Sequence, residues 1–159
     1  MLETADGKHL AQSWAILRYI GRSHGYYPED PETAWKVDST IDAVEDYLTS
    51  YFRLVFESNE EKKKQQHENF FKFLPNWLDA IEKRIKNNEN PHFVVGSKRT
   101  IADFALGVVG FNLLLNEANP HYAETWPHIE NREVLKAYAT AFREDLKEYL
   151  EKRPQPRPY

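Results

Sequence analysis

Gln12-Ser13 is the pair best placed to hold a ligand. Ser13 opens a helix-forming run, Trp14–His24, closed by Gly25. A serine at a helix start offers its hydroxyl to an anion. The helix adds free backbone N–H groups and the positive end of its dipole. Gln12 contributes an amide that both donates and accepts. The plainer reading is that Ser13 is only the helix N-cap. A second constellation is acidic. At 100° per residue, Asp38, Asp42, Glu45 and Asp46 fall within roughly one 100° sector of a helix. A carboxylate there can take an ammonium group by a charge-assisted hydrogen bond. The competing reading is a solvated acidic face. Thr100-Ile101-Ala102-Asp103 has the form of a capping box, whose work is folding and not binding.

Other chemistries are excluded. The chain has no cysteine, which removes a thiol nucleophile, Cys-ligated zinc and a disulfide scaffold. His9, His24, His67, His92, His121 and His128 form no i,i+4 pair, so no metal site is expected. No G-x-S-x-G, G-x-G-x-x-G or P-loop occurs. The net charge of −4 argues against a nucleic-acid surface. No apolar run approaches the roughly 20 residues of a membrane span. The start, Met-Leu-Glu-Thr-Ala-Asp, is unlike a signal peptide. The default expectation is a cytoplasmic protein, with an organelle or cytoskeletal assembly left open.

These residues need elements to hold them. Residues 2–12 read as a β-hairpin turning at Asp6-Gly7. Tyr26–Asp30 is a linker. Asp30 then caps a helix with Pro31 at its first position. Ala34, Val37, Ile41, Val44, Leu48, Phe52 and Val55 predict one long amphipathic helix to Phe56. Residues 57–69 are a polar, solvated helix start. Phe70, Leu74, Trp77, Leu78, Ile81 and Ile85 mark another helix, bent at Pro75. A mostly apolar core helix runs from Thr100 to about Asn116. A last helix covers Arg132–Glu151, before a proline-rich tail that cannot be helical.

The ordered motifs resemble the glutathione S-transferase family, most closely its sigma, pi and mu classes. The resemblance rests on Leu2-Glu3, Asp6-Gly7-Lys8, Leu10, Gln12-Ser13 and Ala15-Ile16-Leu17-Arg18-Tyr19. Val37-Asp38 with Glu45-Asp46, and Leu74-Pro75, follow in order. So do Phe93-Val94-Val95-Gly96 running into Thr100-Ile101-Ala102-Asp103, and Lys152-Arg153-Pro154-Gln155. It implies a mainly α fold. Residues 28–159 would be the all-helical C-terminal domain, and residues 1–27 a hairpin-plus-helix remnant of the thioredoxin-like domain.

The resemblance also implies site residues. Gln12 and Ser13 would hold the γ-glutamyl end of glutathione, and Asp46 would reach the glutathione of a neighbouring subunit. Phe56 falls near a hydrophobic-substrate pocket, although a Phe at helical spacing is more often core. Thr100 and Asp103 would be a folding cap. Glutathione is the one ligand or substrate implied, with no cofactor. The family's sulfur-activating Tyr would lie ahead of Met1, so no catalytic residue can be nominated. The expectation is a non-catalytic structural or accessory subunit. The alternative is a transferase conjugating glutathione to electrophiles, its missing segment supplied by another chain or a longer native form. A two-stranded hairpin is marginal alone, and its open edge invites pairing. A partner covering residues 1–25 is therefore expected, either a second such chain or a larger assembly.

Overall fold

The computed structural model describes residues 1–154, except for the side chains of residues 111 and 112. Gln155 and the rest of the proline-rich tail lie outside the described residues. The chain opens with a hairpin of β1 (Leu2–Glu3) and β2 (His9–Leu10), in the register Leu2 to Leu10 and Glu3 to His9. Gly7 takes φ 80° at the turn, which a glycine adopts without a Cβ clash. Helix α1 follows (Ser13–Ser23).

Two long helices form the frame. Helix α2 (Pro31–Val55) starts under Asp30, whose carboxylate accepts from the N–H of Thr33 at 2.8 Å. Helix α3 (Glu60–Lys86) starts under Asn59, whose side chain accepts from the N–H of Lys62 at 3.0 Å. The polar run and the apolar run are thus one helix, with Pro75 inside it. The two helices run antiparallel. Arg84 reaches Thr40 at 2.6 Å, Trp77 donates to the carbonyl of Ala43 at 2.7 Å, and Phe70 packs on Tyr47.

The buried stripe of α2 differs from the one expected. Val37, Ile41, Val44, Tyr47, Tyr51 and Leu54 are buried. Leu48 and Val55 are only half-buried, and Phe52 is 42% exposed. The two tyrosines take the core positions, where their rings stack on one another and meet Phe70 edge-on. Such aromatic pairs add to the free energy of burial.

Helix α4 (Ile101–Gly107) sits in the core between α2 and the C-terminal helices. It does not continue as an α-helix to Asn116. Residues Val108–Leu114 form a π-helix, with the N–H of Leu115 donating to the carbonyl of Gly110 five residues back. Short helix α5 (Tyr122–Thr125) and a 3-10 turn (Trp126–His128) lead to α6 (Glu133–Asp145) and α7 (Lys147–Lys152). The expected single last helix is therefore two. The break at Leu146 follows Asp145, whose carboxylate is drawn to Arg99 at 2.6 Å. No helix among the described residues is long and apolar enough to cross a membrane.

Candidate functional site

The expectation that Ser13 caps α1 is not what the structure shows. Ser13 is the first helical residue, and Gln12 occupies the cap with no side-chain cap hydrogen bond. Gln12 is the one non-glycine residue with positive φ among those described, at φ 71° and ψ 109°. That backbone region is sparsely populated and costs on the order of 1–3 kcal/mol. The first-turn N–H groups of a helix have no partner within the helix. Among the described residues no side chain takes them, and Gln12 and Ser13 are both exposed. The pair therefore presents an amide, a hydroxyl and free N–H donors to the outside. An anion is the ligand such a set binds.

Helix α1 reaches this position by docking on α2. Arg18 sits one turn below Trp14 on the same face of α1. The indole N–H of Trp14 donates to the Glu45 carboxylate. Arg18 donates from Nε to Asp38 at 2.7 Å, and its second nitrogen lies 3.7 Å from Asp42. Tyr27 donates its hydroxyl to the other oxygen of Asp38 at 2.6 Å. The guanidinium of Arg22 lies over the Tyr27 ring, 4.5 Å from its centroid. Gly21 is buried against Ile101, where a Cβ would stand 2.4 Å from a methyl carbon. Only glycine permits that approach of α1 to α4.

The electrostatics follow the geometry. Burial by itself raises the pKa of Asp38. The hydrogen bonds from Tyr27 and Arg18, with the charges of Arg18 and Arg22, outweigh it and hold the carboxyl below its ordinary value. Tyr27 is pushed up by burial and by the Asp38 carboxylate it serves.

The acidic sector of α2 is consequently not one solvated face. Asp38, Asp42 and Glu45 are engaged by α1. Asp46 is exposed and carries no hydrogen bond or ion pair among the described residues. No hydrogen bond joins it to Gln12 or Ser13. Phe56 is the C-cap of α2 and is 76% exposed, with its ring 5.6 Å from that of Phe52. The competing core reading of Phe56 does not hold, since α2 ends there and the ring stands beyond the packed stripe.

Thr100 and Asp103 are both buried. Asp103 accepts from the N–H of Thr100 at 2.8 Å, from the N–H of Val94 at 3.0 Å and from the Tyr138 hydroxyl at 2.8 Å. One carboxylate thereby ties the 93–96 loop, the start of α4 and α6. No group of three or more metal-ligating side chains is gathered among the described residues. The residues that sequence reasoning missed are Trp14, Arg18 and Tyr27, which engage Glu45 and its neighbours on α2. The complementary charges of Arg18 and the 38–46 sector were the signal that could have found them.

Comparison with known proteins places this arrangement. Residues 45–153 match the family model of the glutathione S-transferase C-terminal domain. Glutathione S-transferase 3 of Caenorhabditis elegans is 31% identical over 160 residues, covering 96% of this chain and 72% of that protein. Glutathione S-transferase P 1 of Xenopus laevis is 39% identical over 103 residues, covering 64% of this chain and 47% of that protein. Through matches of this kind the chain spans about half the length of the curated relatives. Among solved structures, prostaglandin synthase D of Nilaparvata lugens superposes with a TM-score of 0.76 at 26% identity, over 96% of this chain and 73% of that one. The fold is mainly α, a helical C-terminal domain preceded by a small hairpin and helix, and the chain belongs to the glutathione S-transferase family.

Proposed function

We propose that this chain is a glutathione-binding module without its own sulfur-activating group, acting as an accessory subunit beside a partner polypeptide. The open anion grip at Gln12-Ser13 carries this reading. A strained cap and an uncapped helix start are retained although Trp14 and Arg18 already anchor α1. The γ-glutamyl carboxylate of glutathione would take the Ser13 hydroxyl and the first-turn N–H groups. The Gln12 amide would take the neighbouring polar atoms. Asp46, exposed and unpaired, is free to receive the ammonium group of a ligand held by a second subunit.

Thiol transfer needs a thiolate, and a free thiol is mostly protonated at neutral pH. A hydrogen-bond donor must stabilise the sulfur anion. Several tyrosine hydroxyls here are committed elsewhere: Tyr27 to Asp38, Tyr51 to Asn119 and Tyr138 to Asp103. That of Tyr47 is enclosed in the core. The hairpin supports the partner part of the proposal. It has only two strands, so each has an unpaired edge. Residues 5–9 are exposed. A second such chain or a larger assembly would pair there.

The second reading is a transferase whose activating residue comes from another polypeptide or from a longer form. The length of the relatives favours this reading, since they extend beyond the matched region. Calorimetric titration with glutathione separates the readings when run beside a conjugation assay with an aryl halide. Binding that Ser13→Ala weakens about tenfold (~1.4 kcal/mol), without conjugation, supports the module. Conjugation by the chain alone overturns it. Absence of binding overturns the grip.

A further inference from the structure

An apolar chamber of about 60 Å³ lies between α3, the α4–π segment and α6. Its walls include Ile81, Leu106, Val109, Gly110, Leu114 and Ile129. Most of the wall is buried: Ile81 is 4% exposed, Leu106 6%, Val109 1% and Leu114 7%. Leu135, Lys136 and Ala139 of α6 are half-buried and form its rim.

Two features make this more than a packing flaw. First, the chamber lies where the helix changes type. Gly110 accepts the five-residue hydrogen bond that marks the π segment and also lines the chamber. A π turn is wider than an α turn, and single π turns are found often at functional positions. Second, among the described residues the polar atoms of the lining side chains are already bonded elsewhere. The Trp77 indole donates to the Ala43 carbonyl at 2.7 Å. The Tyr138 hydroxyl donates to Asp103 at 2.8 Å. The Lys136 ammonium is held by the Glu130 carbonyl and the Glu133 carboxylate, each at 2.7 Å. A water needs two to four polar partners, and these side chains offer it none.

The size selects the ligand. The volume exceeds the ~10–15 Å³ that one water occupies and falls short of the ~150 Å³ that accepts benzene. We propose that the chamber binds one small uncharged apolar molecule of a few heavy atoms, at a site separate from the Gln12-Ser13 grip. Binding draws on burial of the ligand's apolar surface. The chamber is already formed, so little of the protein has to be ordered.

Xenon is the probe. Methyl NMR spectra of the full chain under xenon pressure should show saturable shifts confined to Ile81, Leu106, Val109, Leu114 and neighbouring methyls. A Cβ on Gly110 meets no atom within 4 Å, so Gly110→Ala narrows the space without a clash and should weaken xenon binding several-fold. Ile81→Ala enlarges the chamber and should admit benzene, while the native chain should not. Should Ile81→Ala fail to fold, Gly110→Ala still decides the matter. Shifts scattered over surface methyls overturn the proposal. So does xenon affinity unchanged in Gly110→Ala, or water cross-peaks to the lining methyls.

Discussion

Arg18 and Asp38 stand 2.7 Å apart, and their pairing joins the N-terminal helix to the long helix of the frame. Both side chains are about one-third exposed. Asp38 also accepts from Tyr27, so its removal leaves two donors short of a partner. Asp38→Asn should destabilise the chain by about 1–2 kcal/mol, read from urea unfolding. Hydrogen exchange gives the sharper check. Amides of α1 should lose protection well before those of α2. Uniform loss across both helices would mean that α1 is held by something else.

Asp103→Ala should be far more damaging. Asp103 is wholly buried and accepts from Thr100, Val94 and Tyr138. Its loss strands buried donors on three elements, an effect of roughly 3–5 kcal/mol. Tyr138→Phe removes one of these hydrogen bonds and should cost about 1–2 kcal/mol. Thermal unfolding of the two variants should differ by several degrees. Equal losses would show that the carboxylate acts only through Tyr138.

Gln12→Gly tests strain against binding. Glycine adopts positive φ without a Cβ clash, so the variant should gain up to about 1 kcal/mol of stability. It should lose glutathione affinity at the same time, because the amide is gone. Gln12→Ala keeps the strain and loses the amide, so it should bind as weakly without the gain. If both variants bind like the native chain, the Gln12 side chain is no ligand.

The acid limb of stability should carry two named carboxylates. Asp38 is held below its ordinary value of 3.8, the pull of Tyr27 and Arg18 exceeding the effect of burial. Glu124 is held below 4.5, where hydrogen bonds from His67 and His121 exceed the effect of burial. A lowered folded-state pKa adds stability that is complete above the unfolded value and disappears as pH falls through the folded one. Stability should therefore drop as pH falls below about 4.5 and again below about 3.8. Asp38→Asn should remove the lower part of that fall. An unchanged profile in the variant would assign the acid limb to other groups.

Much of the frame was legible from local signals. Asp30-Pro31 starts α2, Asp6-Gly7 turns the hairpin, and Thr100 and Asp103 open α4, because each acts within a few residues of itself. Other features were hidden. The last helix breaks at Leu146 without a glycine or proline, beside Asp145, which pairs with Arg99, 46 residues away. The π segment Val108–Leu114 leaves no mark on the apolar pattern, which reads as one continuous helix.

The site divides in the same way. Sequence alone determined the pairing of Gln12 with Ser13 at a helix start, because residue type and helix polarity are local properties. Tertiary structure decided that Gln12, and not Ser13, takes the cap in a strained conformation. It also divided the acidic sector, giving Asp38, Asp42 and Glu45 to α1 and leaving Asp46 exposed. Four carboxylates on one helix face are equivalent until another element brings up a guanidinium and an indole. That selection depends on how α1 docks, which no spacing within α2 can encode.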